Sequence, residues 1–156
     1  MAPIFGVIIS YLAGSIPSAY IAGKIRGVDL RKHGSGNLGA TNVVRVLGPK
    51  IGGAVFIADF LKGFLAVYFL PTYTETLRPE LWALVYGAAA IVGHVKPIFL
   101  LGKGGGKGVA TASGVFTALA FVPMLASRHS STDCSARSGS WSPIARERPA
   151  TRSTRR

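Results

Sequence analysis

Two short stretches of this sequence combine glycine with hydrogen-bonding and cationic side chains. The first is Gly34-Ser35-Gly36-Asn37-Leu38-Gly39-Ala40-Thr41-Asn42, followed by Arg45. The second is Gly102-Lys103-Gly104-Gly105-Gly106-Lys107-Gly108. Glycine lets backbone N–H groups come close to an anion, and successive turn amides form an anion-binding nest. Ser35, Asn37, Thr41 and Asn42 add side-chain donors, and Arg45 adds a two-pronged fork that matches a phosphate. Lys103 and Lys107 supply charge to the second stretch, which becomes a stronger anion site if a helix starts near Val109 with its N-terminus aimed inward. The chemistry expected of these residues is the holding of phosphate groups. A polar connecting turn would not need this density of donors, and charge anchoring at a membrane surface would not need the glycines.

Several other phosphate and transfer chemistries are excluded. Gly34–Gly39 fits G-x-G-x-x-G, but Arg31-Lys32-His33 precedes it where a dinucleotide-binding fold needs a strand. Gly102–Lys107 is one residue short of a P-loop, and Gly108 stands where that motif needs Ser or Thr. There is no G-x-S-x-G nucleophile elbow. Neither His33 nor His94 begins a His-x-x-x-x-Asp motif, since Leu38 and Phe99 occupy the acidic position. The single cysteine, Cys134, forms no internal disulfide, and no Cys/His cluster points to a metal. A transfer reaction here must use a donor that is already activated, with alignment and electrostatics supplied by the protein. His94, beside the second loop, is a candidate for substrate contact, weighed against an interfacial hydrogen-bonding role.

The elements that must position these loops are apolar and long. Blocks of membrane-spanning character run over about 4–25, 51–70, 81–101 and 109–126. The first is interrupted by Gly14, Ser15 and Pro17, and the last is rich in small residues that suit close helix packing in lipid. Asp59 and Lys62 lie three residues apart inside the second block, so a helix puts them on one face, where they must meet a partner or a cavity. The chain has 156 residues, 49% of them hydrophobic, and a net charge of +12. That charge does not indicate nucleic acid, because no aromatic residues interleave with a basic stripe. The 26–50 and 102–108 loops are basic and the 72–80 loop is not, which predicts both basic loops in the cytoplasm and the N-terminus outside. The expected fold is an all-α polytopic transmembrane bundle with about four recognisable spans and short cytoplasmic site loops.

The composition changes after Ala126. Residues 127–156 are rich in Ser and Arg, carry seven arginines and contain no apolar run, which predicts a disordered tail. The span count would place those arginines outside, against the charge rule. The expectation is therefore an incomplete membrane domain over 1–126 and an aberrant tail over 127–156.

The motifs resemble those of the bacterial membrane acyl-phosphate:glycerol-3-phosphate acyltransferases, the PlsY family. Ser35-Gly36-Asn37-Leu38-Gly39-Ala40-Thr41-Asn42-Val43-Val44-Arg45 is similar to the first signature of that family, and Gly105-Gly106-Lys107-Gly108-Val109-Ala110-Thr111 to its second. Gly14-Ser15-Ile16-Pro17, Asp59-Phe60-Leu61-Lys62-Gly63 and Gly93-His94 also fit. The resemblance implies acyl transfer from acyl phosphate to glycerol 3-phosphate in a seven-span protein of the bacterial inner membrane, without metal or other cofactor and without nucleic acid. It implies Ser35, Arg45 and Lys107 as catalytic phosphate contacts. Gly36, Asn37, Thr41, Asn42, Lys103, Gly105, Gly106 and His94 are then substrate-binding. The family's third signature, with a His-Arg-x-Asn core, and about three further spans have no counterpart here, which implies a truncated or frameshifted chain. A small phosphate transporter is the alternative, and the absence of an inverted repeat speaks against it.

Overall fold

The first span begins with Pro3 at the helix start, where its missing N–H costs nothing, and runs as α1 over Pro3–Ser15. Pro17 then forces Ile16 out of the helical region into extended backbone (ψ 114°), and the helix resumes as α2 over Ser18–Ile25. In the computed structural model, which describes residues 1–75, 77–102 and 104–121, the remaining elements are also helical. They are α3 (Ala40–Leu47), α4 (Pro49–Tyr73), α5 (Pro79–Val95), a 3₁₀ turn (Ile98–Leu100) and α6 (Val109–Phe121). Among the described residues, three stretches are long and apolar enough to cross a membrane: Pro3–Ile25, Pro49–Tyr73 and Pro79–Leu100. The fourth expected span is described only as the shorter α6, and the expected basic tail lies outside the described residues.

Close helix packing depends on missing side chains. A Cβ at Gly14 would strike the backbone of Ala90, and one at Gly93 would strike the Tyr11 carbonyl, so α1 and α5 meet backbone to backbone. Gly63 against Thr111 and Gly114 against Phe60 do the same for α4 and α6. Such contacts give lipid-embedded helices the close fit that a hydrophobic driving force cannot supply there. Large apolar side chains, among them Ile4, Phe5, Phe56, Leu84 and Phe116, face outward, as a membrane solvent allows.

The two ends of the bundle differ. At one end the N-terminal amine donates to the Tyr73 carbonyl at 3.1 Å, and the Glu75 N–H donates to the Met1 carbonyl at 3.2 Å. At the other end lie the α1–α2 break and the chain around 96, tied together by the Tyr11 hydroxyl donating to the Lys96 carbonyl at 3.0 Å. Both glycine-bearing loops are at that second end.

The expected polar loop over 26–50 is not all loop. Residues 40–47 form the short helix α3, which carries Thr41, Asn42 and Arg45. Gly48 closes it, with φ +89°, and turns the chain into α4 at Pro49.

Candidate functional site

The first loop is organised by one buried asparagine. Asn42, on α3 and 1% exposed, accepts the Ser35 N–H at 2.8 Å through Oδ1. Its Nδ2 donates to the carbonyls of Leu30 (3.2 Å) and His33 (3.1 Å). Gly34, at φ +61°, must be glycine because a Cβ would run into Asn42 Oδ1. Asn42, expected to touch substrate, has both ends of its amide engaged by backbone and does not line the cavity that the two loops share. Asp29 and Arg31 brace the same loop from below. Arg31 donates to both carboxylate oxygens of Asp29, at 2.9 and 3.0 Å, and its guanidinium lies 5.3 Å from the Tyr20 ring centroid. The hydrogen bonds from Arg31 hold the Asp29 carboxyl down to about 2.

The second loop leaves α5 at Val95, passes Lys96-Pro97 and turns through Leu101 and Gly102, both with positive φ. It then folds back against the end of α5. A Cβ at Gly105 would collide with the Val95 carbonyl, and one at Gly106 with the His94 ring at Nε2. These two glycines serve close approach to the protein itself.

The two loops share one cavity. About 120 Å³ in volume, it is lined by Asn37, Gly39, Ala40 and Thr41 from the first signature and by Lys107, Gly108, Val109 and Ala110 from the second. That is several times the space one water needs. Phe56 and Asp59 of α4 and His94 of α5 complete the wall. Two helices begin at this cavity. The N-terminal residues Ala40 and Thr41 of α3 line it, and its N-cap, Gly39, offers no side-chain cap. The first residues of α6, Val109 and Ala110, line it from the other side. First-turn N–H groups have no helical partners, and the helix dipole favours negative charge there. With the Lys107 ammonium beside them, the arrangement suits an anion held against a mixed apolar wall.

A narrower recess lies under the second loop, lined by Ile16, Pro17, Ser18, Leu38, Pro97 and Gly104–Gly106, and Asp59 and His94 are common to both spaces. Asp59 Oδ1 lies 2.8 Å from Lys62 Nζ and 3.6 Å from His94 Nδ1. The approach to Lys62 is short but poorly angled for a hydrogen bond, so the attraction is chiefly Coulombic. Lys62 Nζ also donates to the Ile16 carbonyl at the α1–α2 break, 3.0 Å away.

Of the residues expected from sequence, Asn37, Thr41, His94 and Lys107 meet at the cavity, while Gly105 and Gly106 wall the recess behind it. Ser35, Gly36 and Arg45 do not line it. Arg45 is exposed, with no ion-pair partner among the described residues, and sits one turn beyond Thr41 on the same face of α3. Lys103 lies outside the described residues. The sequence marks Asp59 as a charge that shares a helix face with Lys62 and must meet a partner or a cavity, but not as a site residue; which cavity it meets is a finding of the fold.

Comparisons with known proteins bear on family and fold. A family model described as Glycerol-3-phosphate acyltransferase matches residues 4–130. A glycerol-3-phosphate acyltransferase of Bacillus velezensis is 50% identical over 124 residues, covering 77% of this chain and 62% of the relative. One from Aquifex aeolicus is 48% identical over 120 residues, covering 76% and 60%. The fold is similar to a crystal structure of PlsY, an integral membrane glycerol 3-phosphate acyltransferase, in its glycerol 3-phosphate form. The TM-score is 0.69 at 44% identity, over 80% of this chain and 60% of that one. A second PlsY structure, in the lysophosphatidic acid form, gives 0.67 at 43% identity, over 80% and 59%. The chain thus spans about 60% of the length of the curated relatives it matches. On the family match over residues 4–130, this chain belongs to the glycerol-3-phosphate acyltransferase family of integral membrane proteins.

Proposed function

We propose that this protein transfers a fatty acyl group from acyl phosphate to the 1-hydroxyl of glycerol 3-phosphate, giving 1-acyl-glycerol 3-phosphate and inorganic phosphate. The observation that carries the proposal is the convergence of two uncapped or glycine-led helix starts and Lys107 on one cavity. Both reactants carry phosphate, and the similar solved structures are described as glycerol 3-phosphate and lysophosphatidic acid forms.

The reaction needs little from the protein beyond grip and alignment. Acyl phosphate is a mixed anhydride. The acceptor hydroxyl oxygen bonds to the acyl carbon, the bond from that carbon to the phosphate oxygen breaks, and phosphate leaves with the electron pair. The departing phosphate takes the hydroxyl proton. Lys107 and the amides at the starts of α3 and α6 stabilise the charge that grows on the leaving group. Asn37 and Thr41 orient it, and His94 faces the same space. Arg45, on the Thr41 face of α3, reaches the mouth and grips the second phosphate, with Ser35 and Gly36 on the loop beside it. The acyl chain lies toward the apolar exterior.

The site loops face the cytoplasm in this proposal. Arg26, Arg31, Lys32, Arg45, Lys50 and Lys107 are at the site end, whereas the other end has, among the described residues, Glu75, Glu80 and a single cationic side chain, Arg78, and positive loops stay inside. The protein reconstituted in lipid, given acyl phosphate and labelled glycerol 3-phosphate, should release lysophosphatidic acid and phosphate in equal amounts. Lys107→Ala should slow this by roughly two orders of magnitude. No product from the native chain, or unchanged turnover in the variant, overturns the reading.

A further inference from the structure

Asp59 and Lys62 are charges inside a membrane span, and nothing in the transfer chemistry requires them. Their side chains are 2% and 8% exposed. Ionisable groups at that depth are costly and persist where they serve a site. A carboxylate on the wall of a phosphate cavity would on its own repel the ligand. Lys62 cancels that charge and is itself anchored to the Ile16 carbonyl, which the helix break leaves outside regular helical bonding.

The third member of the cluster is His94. Its two ring nitrogens face different partners. Nδ1 lies 3.6 Å from Asp59 Oδ1. Nε2 abuts Gly106, so closely that no side chain fits there. A distance of 3.6 Å is beyond a hydrogen bond, and the contact is a close approach of the carboxylate to the ring nitrogen. Hydrogen bonds at such sites are often long before a ligand binds. A carboxylate beside Nδ1 favours the tautomer with the proton on Nδ1 and leaves the Nε2 lone pair facing the glycine loop. Gly106 immediately precedes Lys107.

We propose that Asp59 is a positioning residue: it fixes the ring orientation and tautomer of His94, and His94 in turn seats the loop that presents Lys107 to the phosphate cavity. Lys62 keeps Asp59 neutralised and ties the pair to the α1–α2 break. The proposal rests on the reading of the cavity as a phosphate site.

Two readouts separate the proposal from that reading. The first is the ¹⁵N ring spectrum of His94 in the purified protein, assigned by the resonances lost in His94→Gln. The native ring should carry its proton on Nδ1. Asp59→Asn should abolish that preference, whereas Lys62→Gln, which leaves the carboxylate, should keep Nδ1 protonated. A pair that only braces the helices predicts that neither variant alters the ring. The second readout is the affinity for inorganic phosphate in Asp59→Asn/Lys62→Gln, which leaves the net charge at the cavity unchanged and should bind about tenfold more weakly, the size of one lost charge-assisted hydrogen bond. If Asp59→Asn does not fold, that double variant removes both charges at constant shape and carries both readouts, since replacing a whole buried pair is far milder than breaking it. A native ring protonated on Nε2, or a ring spectrum indifferent to Asp59, overturns the proposal. Native protein that binds no phosphate overturns the cavity reading, and the ring spectrum still decides the role of Asp59.

Discussion

A single methyl group added at Gly106 should weaken phosphate binding without altering the Lys107 ammonium or the helix-start amides at the cavity. Gly106 has no positive φ, so backbone strain is not the issue. The constraint is steric. A Cβ there would overlap the His94 ring at Nε2 and lie 2.8 Å from the Leu38 carbonyl oxygen. Neither neighbour yields easily. The Leu38 oxygen is backbone, in the loop that Asn42 pins, and His94 is buried between the recess and the cavity. Overpacking of this kind costs about 1–3 kcal/mol. If the loop moves away to relieve the overlap, phosphate binding must drag it back, and affinity falls roughly 5- to 150-fold at 1.4 kcal/mol per decade. If the loop holds, the same cost appears as lower thermal stability. Gly106→Ala is therefore measured in both ways, by phosphate titration calorimetry and by thermal unfolding in the same detergent. Gly53→Ala is the control, because a Cβ at Gly53 meets no atom within 4 Å. An alanine inside a helix should be neutral or favourable by about 0.5–1 kcal/mol. If Gly106→Ala matched the native protein in both measurements, the loop would not be seated on His94, and the packing argument would fail.

Two further outcomes follow from the same geometry. Gly93→Val should separate α1 from α5, because its Cβ would overlap the Tyr11 carbonyl and lie 2.9 Å from the Ser15 amide; a lower unfolding temperature than Gly53→Ala is the check. Arg31 holds the Asp29 carboxyl at about 2, below its ordinary 3.8. The pair therefore supports the first loop fully above pH 3.8, and that support is lost as pH falls from there through about 2. In Arg31→Ala the Asp29 carboxyl, followed by its ¹³C shift, should titrate clearly above 2 and toward 3.8, with the residue 31 N–H and Lys32 still favouring the carboxylate; a midpoint still near 2 would mean that the Arg31 side chain does not hold it.

The spans and the two glycine-bearing loops could be read from the sequence because each is a local pattern. Apolar length gives a span, Pro17 gives a break, and glycines among cations give an anion loop. The start of α6 at Val109 was legible for the same reason. The short helix α3 was not. Its eight residues include Thr41, Asn42 and three β-branched valines, all weak helix formers, and tertiary contact decides the outcome. The role of Asn42 was hidden because its partners, Leu30, His33 and Ser35, are fixed only once α3 folds back on the loop. The glycines of the second loop could be counted, but not their purpose. Gly105 and Gly106 admit the end of α5, and only the fold puts His94 against them. Asp59 and His94 meet from different helices, a contact that no periodicity encodes.

The position of the irregular backbone explains why the site is where it is. A lipid-facing carbonyl without a partner is costly, so a broken helix survives in a membrane protein only where protein or a cavity meets the exposed groups. Here the break at Ile16–Pro17, the end of α5 at Val95, and the starts of α3 and α6 all lie at one end of the bundle. Each leaves backbone groups outside regular helices. The break is met by Lys62, whose ammonium reaches the Ile16 carbonyl. The helix starts are met by the cavity, where an anion can take the N–H groups that no side chain caps. The end of α5 is met by the glycine loop lying against it. Placing one lysine on the break requires a counter-charge, Asp59, and Asp59 reaches His94 beneath the same loop. If the cavity holds phosphate as proposed, the cost of interrupting helices in lipid and the means of holding the anion have one solution, and a substitution at the break should be felt in the cavity.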